Sequence, residues 1–169
     1  CTEGVRKGGV HTVNHRWAVC TALAHVNQLY PDERYMQRIE EWLAEGQDID
    51  ADGQWSERSS NYTSDVNNPS MVELAVLLKR PALLDAVRRS LDASVYFFEP
   101  NGEVETVASR RQDQRPGSRK YVWEWYFPYR YLASLDGNGT YAAVARWIER
   151  EFLKEMGDEA TNMSSPLTV

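Results

Sequence analysis

Cysteine and histidine are both scarce in these 169 residues, with two of the first and three of the second. Cys1 and Cys20 can pair only with each other, so no disulfide framework organises the fold, and two cysteines do not fix the redox compartment. His11, His15 and His25 all precede residue 26, which leaves the rest of the chain no imidazole for acid–base work. A basic excess is missing too: 19 Lys and Arg face 25 Asp and Glu, for a net charge of −6. That balance excludes a nucleic-acid partner, because phosphate binding wants a basic face. No apolar run reaches the length of a membrane span and no signal-peptide pattern is visible, so a membrane partner is not expected. The chain opens at Cys1 without a methionine and runs almost directly into helix, which reads as a processed or truncated product.

Aromatic residues are plentiful, with six Trp and nine Tyr. That exceeds what a small helical core needs. Such rings either fill the core or line a sugar groove, where pyranose C–H faces stack on them. The length corresponds to one domain, and 42% hydrophobic with 26% charged residues is ordinary for a globular one.

Helical periodicity runs from about Asn14 to Leu29, with Trp17, Cys20, Leu23 and Ala24 on one face. Tyr30-Pro31-Asp32 breaks it. A second helix carries Tyr35, Met36, Ile39, Trp42 and Leu43 and stops at Gly46, completing an antiparallel hairpin. Gln47 to Asn68 is polar and aperiodic, a loop long enough to suggest function. Asn68-Pro69 then has the pattern of an N-cap followed by Pro at the first helical position. That helix runs through Leu78, and another restarts at Arg80-Pro81 and reaches about Tyr96. Pro100-Asn101-Gly102 signals a turn, Glu103 to Ala108 a short strand or extended stretch, and Ser109 to Lys120 an irregular Arg-rich segment holding Arg110, Arg111, Arg115 and Arg119. Helix returns over Tyr121 to Leu135, kinked or begun at Pro128, and again over Thr140 to Met156. The expected architecture is all-α: one domain over residues 1–156, built of antiparallel hairpins that form part of an (α/α) toroid, with at most one short β-hairpin or strand, and a frayed tail over residues 157–169.

Two segments carry chemistry. Val13-Asn14-His15-Arg16-Trp17 sits at a helix start. An asparagine amide there can hydrogen-bond a carboxylate, and imidazoles titrate near neutrality. The plain alternative makes Asn14 an N-cap and His15 an ordinary first-turn residue. The second segment, Asp52-Gly53-Gln54-Trp55-Ser56-Glu57-Arg58-Ser59-Ser60-Asn61-Tyr62, lies in the long loop. Together they resemble the toroid domain of heparinase II/III-like polysaccharide lyases and related alginate lyases. Those proteins carry an Asn-His pair at a helix start and, about fifty residues on, the pattern D-G-x-x-x-E-x-S-x-x-Y. Asp52, Gly53, Glu57, Ser59 and Tyr62 fill that pattern in order.

The resemblance implies β-elimination at a uronate in an acidic polysaccharide or oligosaccharide, with Asn14, His15 and Tyr62 as the catalytic residues. Asn14 would hold the carboxylate as enolate-like charge develops at C5. Tyr62 would protonate the leaving C4 oxygen and, in a syn geometry, also serve as base; His15 would be base on the opposite epimer or support the carboxylate. A free phenol has a pKa of about 10, so Tyr62 as base needs a nearby cation, and Arg58, one helical turn back, is the expected one. Trp17, Glu57, Arg58, Arg110, Arg111 and Trp123 are the expected substrate contacts, the arginines because guanidinium forks grip carboxylate or sulfate. Of Tyr121, Trp123, Trp125, Tyr126, Tyr129 and Tyr131, some should pack inward and some form a sugar platform. Family members usually draw a further His or Tyr from later segments, so the chain alone is expected to lack part of the catalytic set.

No cofactor is expected. A calcium loop beginning Asp48, Asp50, Asp52 is the weaker alternative, since Ser59 stands where the twelfth-position Glu belongs; a solvated acidic turn is the simpler reading. Sequons at Asn61, Asn138 and Asn162 are chance matches if Tyr62 is catalytic, because a glycan on Asn61 would crowd it. Two other functions compete: a toroid glycoside hydrolase using paired carboxylates such as Asp52, Glu57 or Asp65, and a non-catalytic helical module that binds sugar or protein.

Overall fold

A computed structural model describes residues 2–7, 12–115 and 119–153. The chain is all-α. Its helices are α1 (Thr2–Lys7), α2 (Val13–Leu29), α3 (Glu33–Ala44), α4 (Ser60–Tyr62), α5 (Asn68–Leu77), α6 (Leu84–Ser94), α7 (Tyr126–Asp136) and α8 (Gly139–Ile148), joined in places by single 3₁₀ or π turns. Among the described residues extended pairing is limited to isolated bridges: Ile49 with Trp55, Phe98 with Val104, and Glu103 with Tyr121. The expected frayed tail lies outside the described residues, as do His11, Cys1 and Asn162.

Three hairpins make the body: α2 with α3, α5 with α6, and α7 with α8. Asp32 caps α3 by accepting from the Arg34 N–H at 2.9 Å, and Asn138 caps α8 by accepting from Thr140 and Tyr141. The left-handed Gly137 ends α7. Pro128 sits in the first turn of α7, where no helical acceptor awaits its missing N–H. α2 and α5 lie side by side and run the same way, since Thr21 Oγ1 donates to the Ser70 carbonyl at 3.3 Å and His25 Nε2 lies 3.0 Å from Glu73 one turn further along both. Arg16 in the first turn of α2 pairs with Glu45 at 2.9 Å, just past the end of α3, so that hairpin is antiparallel.

Between these layers lie Trp17, Cys20, Leu23, Ile39, Trp55, Met71, Leu74, Leu91, Trp125, Tyr129, Leu132 and Ile148, all fully buried. Trp125 donates to Ser94 Oγ at 3.2 Å and Tyr129 to the Leu91 carbonyl at 2.6 Å, so the polar ends of these two core aromatics are satisfied, whereas the buried Trp17 indole N–H has no partner. Cys20 is a buried free thiol, pushed up to about 12 by its burial.

The polar stretch after α3 is not a loop through Asn68. Helix begins eight residues earlier, at Ser60. Ser59 is its N-cap and accepts from the Tyr62 N–H at 3.1 Å. A π turn over Thr63–Asn67 carries the chain without a break into α5. Pro69 explains both the structure and the mistaken expectation. A proline inside a helix cannot donate, and its ring clashes with the carbonyl four residues back, so the helix widens just ahead of it. Read in sequence, the same Asn-Pro pattern signals a helix start. The last helix also differs: α8 ends at Ile148 and passes into a second π turn over Glu149–Leu153.

Candidate functional site

Nothing from the side chain of Thr12 caps α2, whose extended backbone makes it the N-cap residue. Asn14 is therefore a first-turn residue and not the cap. Its N–H, which has no helical acceptor, is taken instead by Glu57, whose Oε2 accepts it at 3.1 Å. A carboxylate at a helix N-terminus satisfies a free donor and meets the positive end of the helix dipole. This contact brings the two chemistry-bearing segments together, 43 positions apart in sequence. The Asn14 side chain is buried, and its Oδ1 accepts from Thr12 Oγ1 at 2.6 Å; His15, next along the helix, is exposed.

Glu57 arrives there because the preceding chain is tightly turned. Gly53, at φ +81, donates to the Asp50 carbonyl at 3.1 Å, and Ile49 and Trp55 bridge across the turn. A Cβ on Gly53 would stand 2.1 Å from the Arg89 carbonyl oxygen, so only glycine lets this turn lie against α6. Trp55 buries its ring and donates to Asn68 Oδ1 at 3.1 Å.

The Arg-rich segment docks on the same turn. The Arg110 N–H donates to the Glu57 carbonyl at 3.0 Å, and the Arg110 guanidinium to the Ser56 carbonyl at 3.3 Å. Buried Asp113 accepts from Ser59 Oγ at 2.9 Å, from the Asn61 N–H at 3.1 Å and from Ser109 Oγ. Arg111 is thereby placed between the two halves. Its Nε lies 3.6 Å from Glu57 Oε1, and its guanidinium carbon is 5.0 Å from the centre of the Tyr62 ring. The Tyr62 hydroxyl donates to Gln112 Oε1 at 3.2 Å. Contact with Tyr62, aided by the charge of Glu57, holds the Arg111 guanidinium above its ordinary value.

Burial raises the Glu57 carboxyl above the ordinary glutamate range, opposed by the Asn14 N–H, Arg111, the Asn67 amide and His15. Those four opponents show what surrounds it. Asn14, Glu57, Arg111 and Tyr62 form one connected group at the start of α2, with exposed His15 beside it.

Other expected residues stand elsewhere. Arg58 is not the cation beside Tyr62: it precedes the helix in a left-handed backbone conformation (φ 50), lies 3.6 Å from Asp50, and lines a crevice with Ser59, Thr63, Ser90 and Trp125. Arg111 takes that place. Trp17, expected on a sugar platform, is 0% exposed and belongs to the core. Glu57, expected to touch substrate, is 7% exposed with both oxygens turned toward the protein. Trp123 is half-buried and stacks on Tyr121, ring centres 4.3 Å apart and 12° from parallel. The aromatic segment divides as expected: Trp125 and Tyr129 are core, while Tyr121, Trp123, Tyr126 and Tyr131 keep partial exposure.

The acidic run does not converge. Asp48 pairs with Arg16 at 2.7 Å, Asp50 Oδ1 accepts from the Gln54 N–H at 2.8 Å, and Asp52 is exposed. Among the described residues no group of three or more His, Cys, Asp or Glu side chains is placed to hold a metal ion. Likewise no helix among them is long and apolar enough to cross a membrane. The carboxylates considered for hydrolysis have separate partners, Glu57 as above and Asp65 on Lys120 Nζ at 2.9 Å. The sequon residues Asn61 and Asn138 both spend their side chains internally, on Lys120 Nζ at 2.8 Å and on the α8 cap.

Two participants escape a reading of the sequence. Asn67 lies inside the π turn, fully buried, and its only sequence signal is the Asn-Asn-Pro run that looks like a cap. Lys120, 6% exposed, binds Asn61, Asp65 and Glu124 and fastens the chain around Tyr62 to the segment leading into α7. A single lysine next to Arg119 at the end of a polar stretch carries no signal of burial. Searches against protein-family models, curated proteins and solved structures each returned no match to the chain.

Proposed function

We propose that the chain is the toroid portion of a heparinase II/III-like lyase, cleaving a uronate-containing polysaccharide by β-elimination. The observation that supports this reading most is the junction of the Asn14-His15 segment with Tyr62 through Glu57 and Arg111. Two short segments picked out by their resemblance to lyases meet at one place. The parallel course of α2 and α5 in successive hairpins suits a toroid as well.

Chemically, elimination removes the C5 proton, forms the C4–C5 double bond from that electron pair, and expels the C4 oxygen, which takes up a proton. The phenol of Tyr62 is the group for proton transfer. Arg111 sets a guanidinium against its ring, 5.0 Å from the ring centre, and Gln112 holds its hydroxyl. His15, exposed beside the junction, is the second proton-transfer group. The Asn14 amide is assigned to the uronate carboxylate, where a hydrogen bond stabilises charge that builds up in the transition state; Asn14 is 4% exposed, so the start of α2 must open for the two to meet. The substrate is an acidic polysaccharide, gripped at its carboxylates or sulfates by Arg110 and Arg111.

The test is absorbance. Concentrated protein incubated at length with a panel of uronate polymers should release products with a near-ultraviolet-absorbing double bond, and Tyr62→Phe should release none. Absence of that absorbance on every polymer, from the chain and from a longer protein that contains it, or equal absorbance from the variant, would overturn the proposal. New reducing ends without absorbance would favour hydrolysis instead. Binding without either product, unchanged by Tyr62→Phe, would leave a non-catalytic sugar-binding module.

A further inference from the structure

The two halves of the site meet on one carboxylate. From α2 the Asn14 N–H reaches Glu57 Oε2 at 3.1 Å. From the Arg-rich segment Arg111 Nε stands 3.6 Å from Oε1, beyond hydrogen-bonding distance, while its guanidinium covers the Tyr62 ring. Glu57 Oε1 and Arg111 Nε are both buried, and neither has a hydrogen-bond partner. Asn67, within the π turn, leaves both of its side-chain polar atoms without partners as well, yet its amide is one of the groups that favour the charged form of Glu57. Buried polar atoms with unspent hydrogen-bonding capacity are rare in folded proteins and costly to keep, and each calls for an explanation such as a functional constraint.

We infer that Glu57 is the positioning residue of this site: its carboxylate fixes the first turn of α2 and the Arg111–Tyr62 pair at one separation. The inference deepens the lyase reading and rests on it for the chemistry, although the coupling through Glu57 is measurable without any substrate. Glu57 itself is buried and does not touch substrate. Its removal should therefore misplace Tyr62 relative to the start of α2, and the chemistry with it.

The experiment uses the whole chain, labelled with ¹⁵N and with ¹³C in its tyrosine rings, and reads nuclear magnetic resonance spectra. Arg111→Gln should move the Asn14 amide resonance, on the far side of Glu57, together with the Tyr62 ring resonance. Glu57→Gln should move the Tyr62 ring resonance with the far-ultraviolet circular dichroism unchanged, and Glu57→Asp should restore it in part. Folded variants in which the Asn14 amide ignores Arg111→Gln, or the Tyr62 ring ignores Glu57→Gln, overturn the inference. If Glu57→Gln fails to fold, the half-buried Arg111 variant decides alone. On a uronate polymer Glu57→Gln should lower kcat by about 10- to 100-fold; an unchanged kcat overturns it. Couplings that hold in a protein releasing no unsaturated product support the positioning role and sink the lyase reading alone.

Discussion

Tyr62 combines a hydroxyl already hydrogen-bonded to Gln112 with a guanidinium across its ring face, so replacing it by Phe keeps most of the packing and removes only the phenol. The fold should survive, with a loss within about 1 kcal/mol by denaturant titration, while product formation disappears. Trp17 is the contrast. It fills the core completely, and Trp17→Ala should cost about 3–5 kcal/mol of stability in the same titration. Titration behaviour follows from burial. Glu57 and Glu124 are both held above the ordinary glutamate value of 4.5, chiefly because they are buried. For a carboxyl raised in the folded state, the native protein binds more protons than the unfolded chain, so stability falls as pH rises from that value through the raised one. Thermal melts between about pH 4 and pH 8 should therefore show the deficit of Glu124→Gln relative to the parent shrinking as pH increases. A gap that widens instead would mean that Glu124 ionises more readily in the fold than in the unfolded chain.

At the level of elements, the decisive piece is the tight turn after α3 and the widened helix that follows. Gly53→Ala must adopt a left-handed backbone and drive a methyl group into the Arg89 carbonyl, whereas Gly46, also left-handed at φ 92, has open space around it. Gly46→Ala should cost about 1 kcal/mol, and Gly53→Ala at least about twice that, with loss of the Tyr62–Arg111 contact. Equal costs would show that the turn yields. This region also separates what the sequence makes legible from what it hides. The hairpins follow from apolar periodicity, and the caps at Asp32 and Asn138 obey local rules. The turn at Pro100-Asn101-Gly102 and the brief pairing beyond it are local as well. The start at Ser60 is hidden because a helix interrupted by proline has the same pattern as a helix begun by it. The substitution of Arg111 for Arg58 beside Tyr62 is hidden for another reason: it depends on a segment some fifty positions away, docked through Asp113, and no local pattern reports tertiary docking.

Across the whole molecule, the site is assembled from the start of α2, the turn before α4, the π turn, and the Arg-rich segment, and few covalent neighbours hold these together. Lys120 is the main clasp. Its ammonium group has three acceptors from two distant stretches of chain, and removing it would leave Asp65 and Glu124 facing each other with no cation. Because Asp65 is 43% exposed on its side chain, part of that repulsion is screened, and Lys120→Met should cost about 2–3 kcal/mol by denaturant titration. The loss should be recovered in part by adding Glu124→Leu. An unchanged midpoint in Lys120→Met would show that the two stretches are held by packing alone.

Cys20 gives the molecule a use that has nothing to do with its chemistry. A thiol sealed in the core and held protonated to about pH 12 has almost no thiolate to react, whereas the same thiol in an opened chain reacts readily. In a Cys1→Ser background, the rate at which an alkylating reagent consumes the remaining sulfur counts how often the α2–α3 layer comes apart. Each substitution above can thus be ranked by opening frequency in native buffer, without denaturant and without knowing the substrate.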